Sequence, residues 1–577
     1  MPSRRPEGPP DHDDRESSAA GDDPRALDRR DFLTLSGLGT AAIWAGATAG
    51  CEAPGAPTGT PVDASRPEWW TTLSFDLEER TLAELQQGMA DGTWTARHLV
   101  QLYLDRIEQL DRAGPRLRSV IETNPDATDI AERLDQERRD GNVRGPLHGI
   151  PILVKDNIDT ADRMMTTAGS LALEGHRAAQ DSWVADRLRA AGAIILGKAN
   201  LSEWANFRST NSSSGWSGRG GQCANPYALD RNPCGSSSGS GAAVSANFCA
   251  AAIGTETNGS VVCPSSITGV VGIKPTVGLV GRSGIIPIAH SQDTAGPMCR
   301  TVADAAAVLG ALTGVDPRDG ATDASPGHSE TDYLQYLDRE GLRGARIGVE
   351  RSFFGGDARI DDLMEEAVRT MAAAGATIVD DASVPTRRQM GAPSYQVLLY
   401  EFKADLTAYL SAAGAPNGMT SLADLIAFNE ANADRELPFF GQEIFLEAEE
   451  KGDLNSAEYR EALATMHRLS RAEGIDAVME RHQLDAIVAP TTRPAWLTDL
   501  VNGDGSSGGS SGAAAIAGYP SITVPNGYVQ GLPVGILFFG RAWSEPTLIR
   551  VAYAYEQASM HRRAPKMPSS LDLRNAI

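Results

Sequence analysis

Several things are scarce in this chain, and each scarcity closes off a class of protein. Cysteine is rare, with six in 577 residues, at 51, 223, 234, 249, 263 and 299, and no paired CxxC spacing. Neither a zinc site nor a disulfide framework is indicated, and Cys234 and Cys263 are expected to pack as small apolar side chains. Basic side chains are outnumbered, 52 Lys plus Arg against 75 Asp plus Glu, for a net charge of -23. So acidic a protein repels phosphate backbones and anionic lipid, and nucleic acid is not an expected partner. The uncharged stretch from Phe32 to Gly50 is rich in Gly and Ala, which favours a segment that engages a membrane transiently over a permanent span, with an uncleaved membrane anchor as the alternative. No internal repeat is found, which argues against solenoid and propeller arrays. What is there, 41% hydrophobic and 22% charged residues, is ordinary globular composition with ample material for a large core.

The N-terminus has its own character. Residues 1–28 are polar and rich in Pro and Asp, the composition of a disordered leader. Arg29-Arg30-Asp31-Phe32-Leu33 then leads into the uncharged stretch, which ends in Thr48-Ala49-Gly50-Cys51. This resembles a twin-arginine export signal with a lipobox-like end, so residues 1–50 are expected to direct export to the periplasm, the cell envelope or the medium. Lipidation at Cys51 and a small-x-small cut near Ala47 or Ala49 both stay open. Residues 51–69, rich in Pro, Gly and Thr, read as a linker.

The folded body is expected over 70–570. Thr81-x-x-Glu84 has the capping-box pattern, and a second helix follows Thr95 with Leu99, Leu102, Tyr103, Ile107 and Leu110 on one face. From residue 146, short apolar runs (Ile152 to Val154, Ala193 to Leu196, Val270 to Ile273) alternate with amphipathic segments such as Trp183 to Ala191. That alternation predicts an α/β sheet covered by helices on both faces. Residues 311–345 read as a surface excursion and about 360–480 as a mostly helical insertion. Strand texture returns in Ile487 to Pro490, Ile522 to Pro525 and Val534 to Phe539. One sheet interrupted by an insertion fits better than two domains.

Three stretches carry chemistry. In Gly149-Ile150-Pro151-Ile152-Leu153-Val154-Lys155-Asp156-Asn157 a lysine ends an apolar run that reads as a buried strand, where lysine is rarely placed without a use. Cys234-Gly235-Ser236-Ser237-Ser238-Gly239-Ser240-Gly241 and Gly254-Thr255-Glu256-Thr257-Asn258-Gly259-Ser260 read as loops of small residues whose backbone can approach a ligand closely.

Together with Gly269-Val270-Val271-Gly272-Ile273-Lys274-Pro275-Thr276, these stretches resemble the amidase signature family over most of residues 75–565. Ile286 to Thr294, Ser421 to Asn429 and Ala517 to Ser521 are similar to its bacterial peptide-amidase branch. The resemblance implies a twisted mixed sheet in one large domain and a Ser-cisSer-Lys triad, with Ser260 as nucleophile, Ser236 as bridging serine and Lys155 as base. The two serines stand twenty-four residues apart, as the family has them. Ser237 would hydrogen-bond the lysine, and the N–H groups of Thr257, Asn258, Gly259 and Ser260 would form the oxyanion hole. Burial is what lets a lysine act as base, by penalising its ammonium form. The implied reaction takes a small-molecule or peptide amide and water through an acyl-enzyme, with no metal or organic cofactor, in a monomer. Two positions depart from the pattern: Ser238 replaces a Gly, and Asn258 replaces the Asp common in peptide amidases.

Other readings of the same residues exist. Gly235-Ser236-Ser237-Ser238-Gly239 fits a nucleophile elbow with Ser237 as nucleophile and His290, His467 or His482 as base. Gly192 to Lys198 fits the start of a P-loop but ends in Ala199 and follows a helix, so it fails on context. An amidase of other acyl or aryl amides, a non-catalytic binding protein and a tRNA-dependent amidotransferase share the pattern in part. The acyl pocket is expected to come from residues 300–480.

Overall fold

The structure is a computed structural model that describes residues 75–505 and 509–571. The leader, the export signal, Cys51 and the linker to residue 69 lie outside the described residues. Eleven strands are found among them: β1 (Val120–Thr123), β2 (Pro151–Lys155), β3 (Ile194–Ala199), β4 (Ala251–Glu256), β5 (Val271–Lys274), β6 (Thr294–Cys299), β7 (Arg346–Val349), β8 (Thr377–Val379), β9 (Ala486–Pro490), β10 (Ser521–Val529) and β11 (Leu532–Phe539). They form one mixed sheet in the order β1-β3-β2-β4-β6-β5-β10-β11-β9-β7-β8. Parallel pairing joins β2 to β3 and β4 at one end and β7 to β8 and β9 at the other, with antiparallel strands between.

Both faces of the sheet are covered, and the pleat makes this visible. In β9 and β11, Val488, Ile536 and Phe538 pack into a core with the helices Val302–Leu312 and Glu545–Ser559. Their neighbours Ile487, Ala489, Leu537 and Phe539 pack into a second core with the helices Ala457–Ser470 and Gly512–Ala517. Side chains alternate sides along a strand, so a strand apolar at every position needs cover on both sides. The apolar runs of the sequence are strands for this reason.

The start of the body forms as its pattern predicts. Thr81 caps the helix Leu82–Ala90 with the reciprocal Glu84 bond, and the next helix, Ala96–Arg106, buries Leu99 and Tyr103 while Leu102 stays half-buried. The 360–480 region differs in one respect. The helix Ala358–Ala373 connects β7 to the parallel β8, so this stretch begins as a crossover that extends the sheet before the remaining helices depart. β4 was also not evident: Gly254, Thr255 and Glu256 end a strand, and the loop proper begins at Thr257.

Candidate active site

Lys155 is the last residue of β2, whose five residues are all buried. Pairing of Val154 with Ile253 sets the end of β2 beside the end of β4 and brings Lys155 against Thr255. Lys155 Nζ donates to Ser236 Oγ at 2.7 Å, to Thr255 Oγ1 at 2.8 Å and to the Thr255 carbonyl at 3.2 Å. No carboxylate touches it among the described residues. Burial lowers its pKa from 10.5 to about 7, against the opposing pull of Asp293 and then Glu256.

Ser236 follows a cis Gly235–Ser236 peptide bond, and its carbonyl accepts the Ser202 N–H at 3.0 Å. The helix Ser238–Ser245 begins two residues later and runs close against the sheet, where a Cβ on Gly239 would lie 2.2 Å from the Ser119 carbonyl oxygen. Only glycine fits that approach. Ser238, the departure from the family pattern, uses its hydroxyl locally by donating to the Cys234 carbonyl at 2.5 Å.

Ser260 sits in the turn between β4 and the helix Val262–Ile267. That helix has no side-chain cap of its own. Glu256 supplies one from the strand end: its carboxylate accepts the N–H groups of Gly259 (2.8 Å), Val261 (2.7 Å) and Val262 (3.1 Å). Gly259 has φ +85°, a conformation that L side chains rarely adopt. Ser260 is thus held from both sides, and its carbonyl accepts the Ser237 N–H at 3.1 Å. No hydroxyl-to-hydroxyl bond joins Ser260 to Ser236 among the described residues.

Two sequence expectations change here. Ser237 does not bond the lysine. Its hydroxyl donates to the Thr255 carbonyl at 3.1 Å and accepts the Thr255 N–H at 3.2 Å, while Thr255 is the residue that holds Lys155. The Gly259 N–H is already committed to Glu256, whereas those of Thr257, Asn258 and Ser260 have no acceptor among the described residues. The elbow reading loses its nucleophile, since Ser237 is fully buried and engaged, and none of His290, His467 or His482 hydrogen-bonds to these serines. His290 pairs instead with Asp405.

Ser260 opens into a cleft of about 420 Å³ whose apolar lining includes Phe207, Ile288, Leu398 and Trp496. The acyl pocket was expected from residues 300–480, but of its lining only Leu398 comes from there. Among the described residues Asp504 is the one charged lining side chain, and its carboxylate is engaged by Ser214, Asn232 and Trp496. Cys234 and Cys263 also line the cleft, and they are not packed thiols. They form a disulfide, with Cα atoms 6.1 Å apart across a separation of 29 residues. Cys223, Cys249 and Cys299 are free and buried.

The family model described as Amidase matches residues 98–549. The chain belongs to the amidase family. Among solved structures, this amidase is similar to the native peptide amidase from Stenotrophomonas maltophilia. The TM-score is 0.81 at 53% identity, over 85% of this chain and 99% of that one. A probable amidase, At4g34880, from Arabidopsis thaliana is 44% identical over 502 residues, 85% of this chain and 92% of that protein. The glutamyl-tRNA(Gln) amidotransferase of Pseudomonas aeruginosa matches through one of its polypeptides, 36% identical over 504 residues, 85% of this chain and 99% of that polypeptide. This amidase is a hydrolase acting on amides, in an α/β domain with a large mixed sheet flanked by helices.

Thr255 and Glu256 stand within a stretch that the sequence marks as chemical, yet nothing there gives their side chains a use. The available signal was position: both belong to a stretch already marked as close to a ligand, and a carboxylate four residues before a serine at a helix start suits capping. Their partners became evident only from strand adjacency.

Proposed function

We propose that this amidase hydrolyses the C-terminal carboxamide of peptides, with Ser260 as nucleophile, Ser236 as proton relay and Lys155 as base. The observation that carries this reading is the 2.7 Å contact between Lys155 Nζ and Ser236 Oγ in a wholly buried site. A neutral lysine amine has two N–H groups and one lone pair. Thr255 Oγ1 and its carbonyl take the two N–H groups, so once Lys155 is neutral the Ser236 contact reverses and the lone pair accepts the Ser236 hydroxyl proton. Ser236 in turn takes the Ser260 proton as Ser260 Oγ attacks the amide carbon. The N–H groups of Thr257, Asn258 and Ser260 receive the oxyanion, and losing one such donor costs about 3 kcal/mol. The proton returns through Ser236 to the leaving nitrogen, and ammonia departs. Water then uses the same relay to hydrolyse the ester on Ser260 and regenerate the hydroxyl.

The cleft supports a carboxamide substrate. With Asp504 engaged and no cation among the described lining residues, the cleft has no charged partner for a carboxylate, which favours an uncharged amide over the acid product. Phe207, Ile288, Leu398 and Trp496 suit apolar acyl side chains. Identity of 53% to a peptide amidase against 36% to an amidotransferase favours the same reading.

Ammonia release from a panel of amides tests it. Ser260→Ala drops turnover of an amidated dipeptide by about a thousandfold or more, while His290→Ala, His467→Ala and His482→Ala each keep most of it. Turnover of acyl or aryl amides with none of amidated peptides refutes the substrate. Loss of activity in one histidine variant with Ser260→Ala still active restores the elbow.

Export belongs to the same proposal. The Arg29-Arg30 signal and the Cys234–Cys263 bridge both suit an oxidising compartment outside the cytoplasm. Cell fractionation is expected to find a chain shortened at its N-terminus in the envelope or medium; cytosolic enzyme retaining Met1 refutes it.

A further inference from the structure

Thr255 and Thr257 lie two residues apart, and their hydroxyls have different partners. Thr255 Oγ1 accepts from Lys155, and Thr257 Oγ1 donates to Asp293 Oδ1 at 2.5 Å. The other Asp293 oxygen accepts the N–H groups of Ile288 (2.8 Å) and Ala289 (2.9 Å). One carboxylate therefore pins the turn that begins the oxyanion loop to a second segment of the cleft lining, since Thr257 and Ile288 both line it. Thr255, Thr257 and Asp293 also line a common second cavity of about 180 Å³.

Asp293 is half-buried in the wall of this cavity, and no ion pair joins it among the described residues. It still interacts favourably with two cations: Lys155 on β2 and Arg282 from the segment after β5. Arg282 is itself bound to Asp319. The other charged groups facing this region among the described residues are Glu256 on β4, Arg318, which pairs with Asp316, and His290, which pairs with Glu401 and Asp405 of the helix Gly391–Ala412. Glu256 is already spent on three backbone N–H groups.

We infer that Asp293 is a positioning residue for the amidase reaction. It fixes Thr257, and with it the oxyanion donors, and it is the negative charge that stabilises Lys155 as ammonium after the Ser260 proton arrives. The inference rests on the triad reading above. Its chemistry needs no added reactant: the proton moves from Ser260 through Ser236 to Lys155 Nζ and back to the leaving nitrogen, and Asp293 keeps its own charge throughout. Burial raises the Asp293 pKa to about 6, so above that pH the carboxylate is ionised.

Steady-state kinetics on an amidated dipeptide, from about pH 5 to about pH 10, separate the two roles. Asp293→Asn is expected to lower kcat about tenfold or more and leave KM within about twofold. Losing the anion makes Lys155 easier to deprotonate, so the acid limb of kcat/KM moves down by about one pH unit. Thr257→Val removes the anchor but keeps the charge, so kcat falls while the acid limb stays in place; Thr257→Ser, which keeps the hydroxyl, restores wild-type values. A wild-type acid limb in Asp293→Asn overturns the inference, as does a loss in both Asp293→Asn and Thr257→Val explained wholly by a lowered melting temperature. Lys155→Met separates this from failure of the triad: if it stays active with an unchanged acid limb, the triad itself is wrong. If Lys155→Met is inert and Asp293→Asn is unchanged, only the role of Asp293 falls.

Discussion

Two buried lysines stand on neighbouring strands and do opposite things. Lys155 ends β2 and Lys198 lies in β3, where Val154 pairs with Lys198 and Lys155 with Ala199, so the two side chains leave opposite faces of the sheet. Lys155 meets two hydroxyls and a carbonyl. Lys198 donates to the Ile158 carbonyl at 2.6 Å and Thr166 Oγ1 at 2.9 Å, and carboxylates gather around it, Asp156 first and Asp159 next. Burial lowers both lysines. Carboxylates act on both from a distance, Asp293 and Glu256 on Lys155 and Asp156, Asp159, Asp162 and Glu122 on Lys198: the larger set around Lys198 favours its ammonium form, whereas Lys155, with fewer, is poised to lose its proton near neutrality. A buried lysine is a base or a structural cation according to what faces it.

Replacing each lysine by methionine tests this contrast, and the largest effect is on activity. Lys155→Met is expected to lose about a thousandfold or more in kcat, while Lys198→Met keeps near wild-type kcat per folded molecule. Equal losses erase the contrast. Next comes stability. Lys198→Met leaves the buried Ile158 carbonyl and Thr166 hydroxyl without their donor and is expected to destabilise by about 1–3 kcal/mol for each, read by denaturant unfolding. The Cys234–Cys263 bridge flanks the Lys155 side alone, and closing a loop of this length contributes about 3–4 kcal/mol. Reduction should therefore lower the melting temperature. A thiol-alkylating reagent should spare the oxidised enzyme and inactivate it only after reduction; inactivation without reductant refutes the bridge. The smallest effect is a gain: Lys155→Met stabilises by about 1–4 kcal/mol at neutral pH. Because the Lys155 pKa is lower folded than unfolded, the folded chain binds fewer protons between about 7 and 10.5. The wild type regains stability as pH rises through that window, so the advantage of Lys155→Met fades there. A gain that does not fade means Lys155 is not neutral in the native state.

Legibility in the sequence followed the range of the interactions involved. β2, β3, β5 and β9 to β11 were visible because burial on both faces leaves an uninterrupted apolar run. β7 and β8 were not: Arg346–Val349 has polar flanks, and Thr377–Val379 is three residues at the sheet edge, exposed or half-buried. Lys155, Ser236 and Ser260 were legible as residues in short motifs. The grip of Thr255 on Lys155 and the hold of Asp293 on Thr257 were not, since each joins segments brought together only by sheet pairing. The cysteine pair was missed for the same reason. Twenty-nine residues of separation carries no geometry until the loops of Ser236 and Ser260 converge.

By itself the sequence determined the layers of the fold and marked the short stretches from which the candidate site is built, because apolar periodicity and small-residue loops act over a few residues. Tertiary structure decided which groups are free. It committed the Gly259 N–H to Glu256, gave Ser237 to Thr255, closed Cys234 onto Cys263 and left Lys155 without a carboxylate in contact. The physical reason is that a hydrogen bond or a pKa depends on distances of a few ångströms between segments far apart in the chain, and only the packed sheet sets those distances.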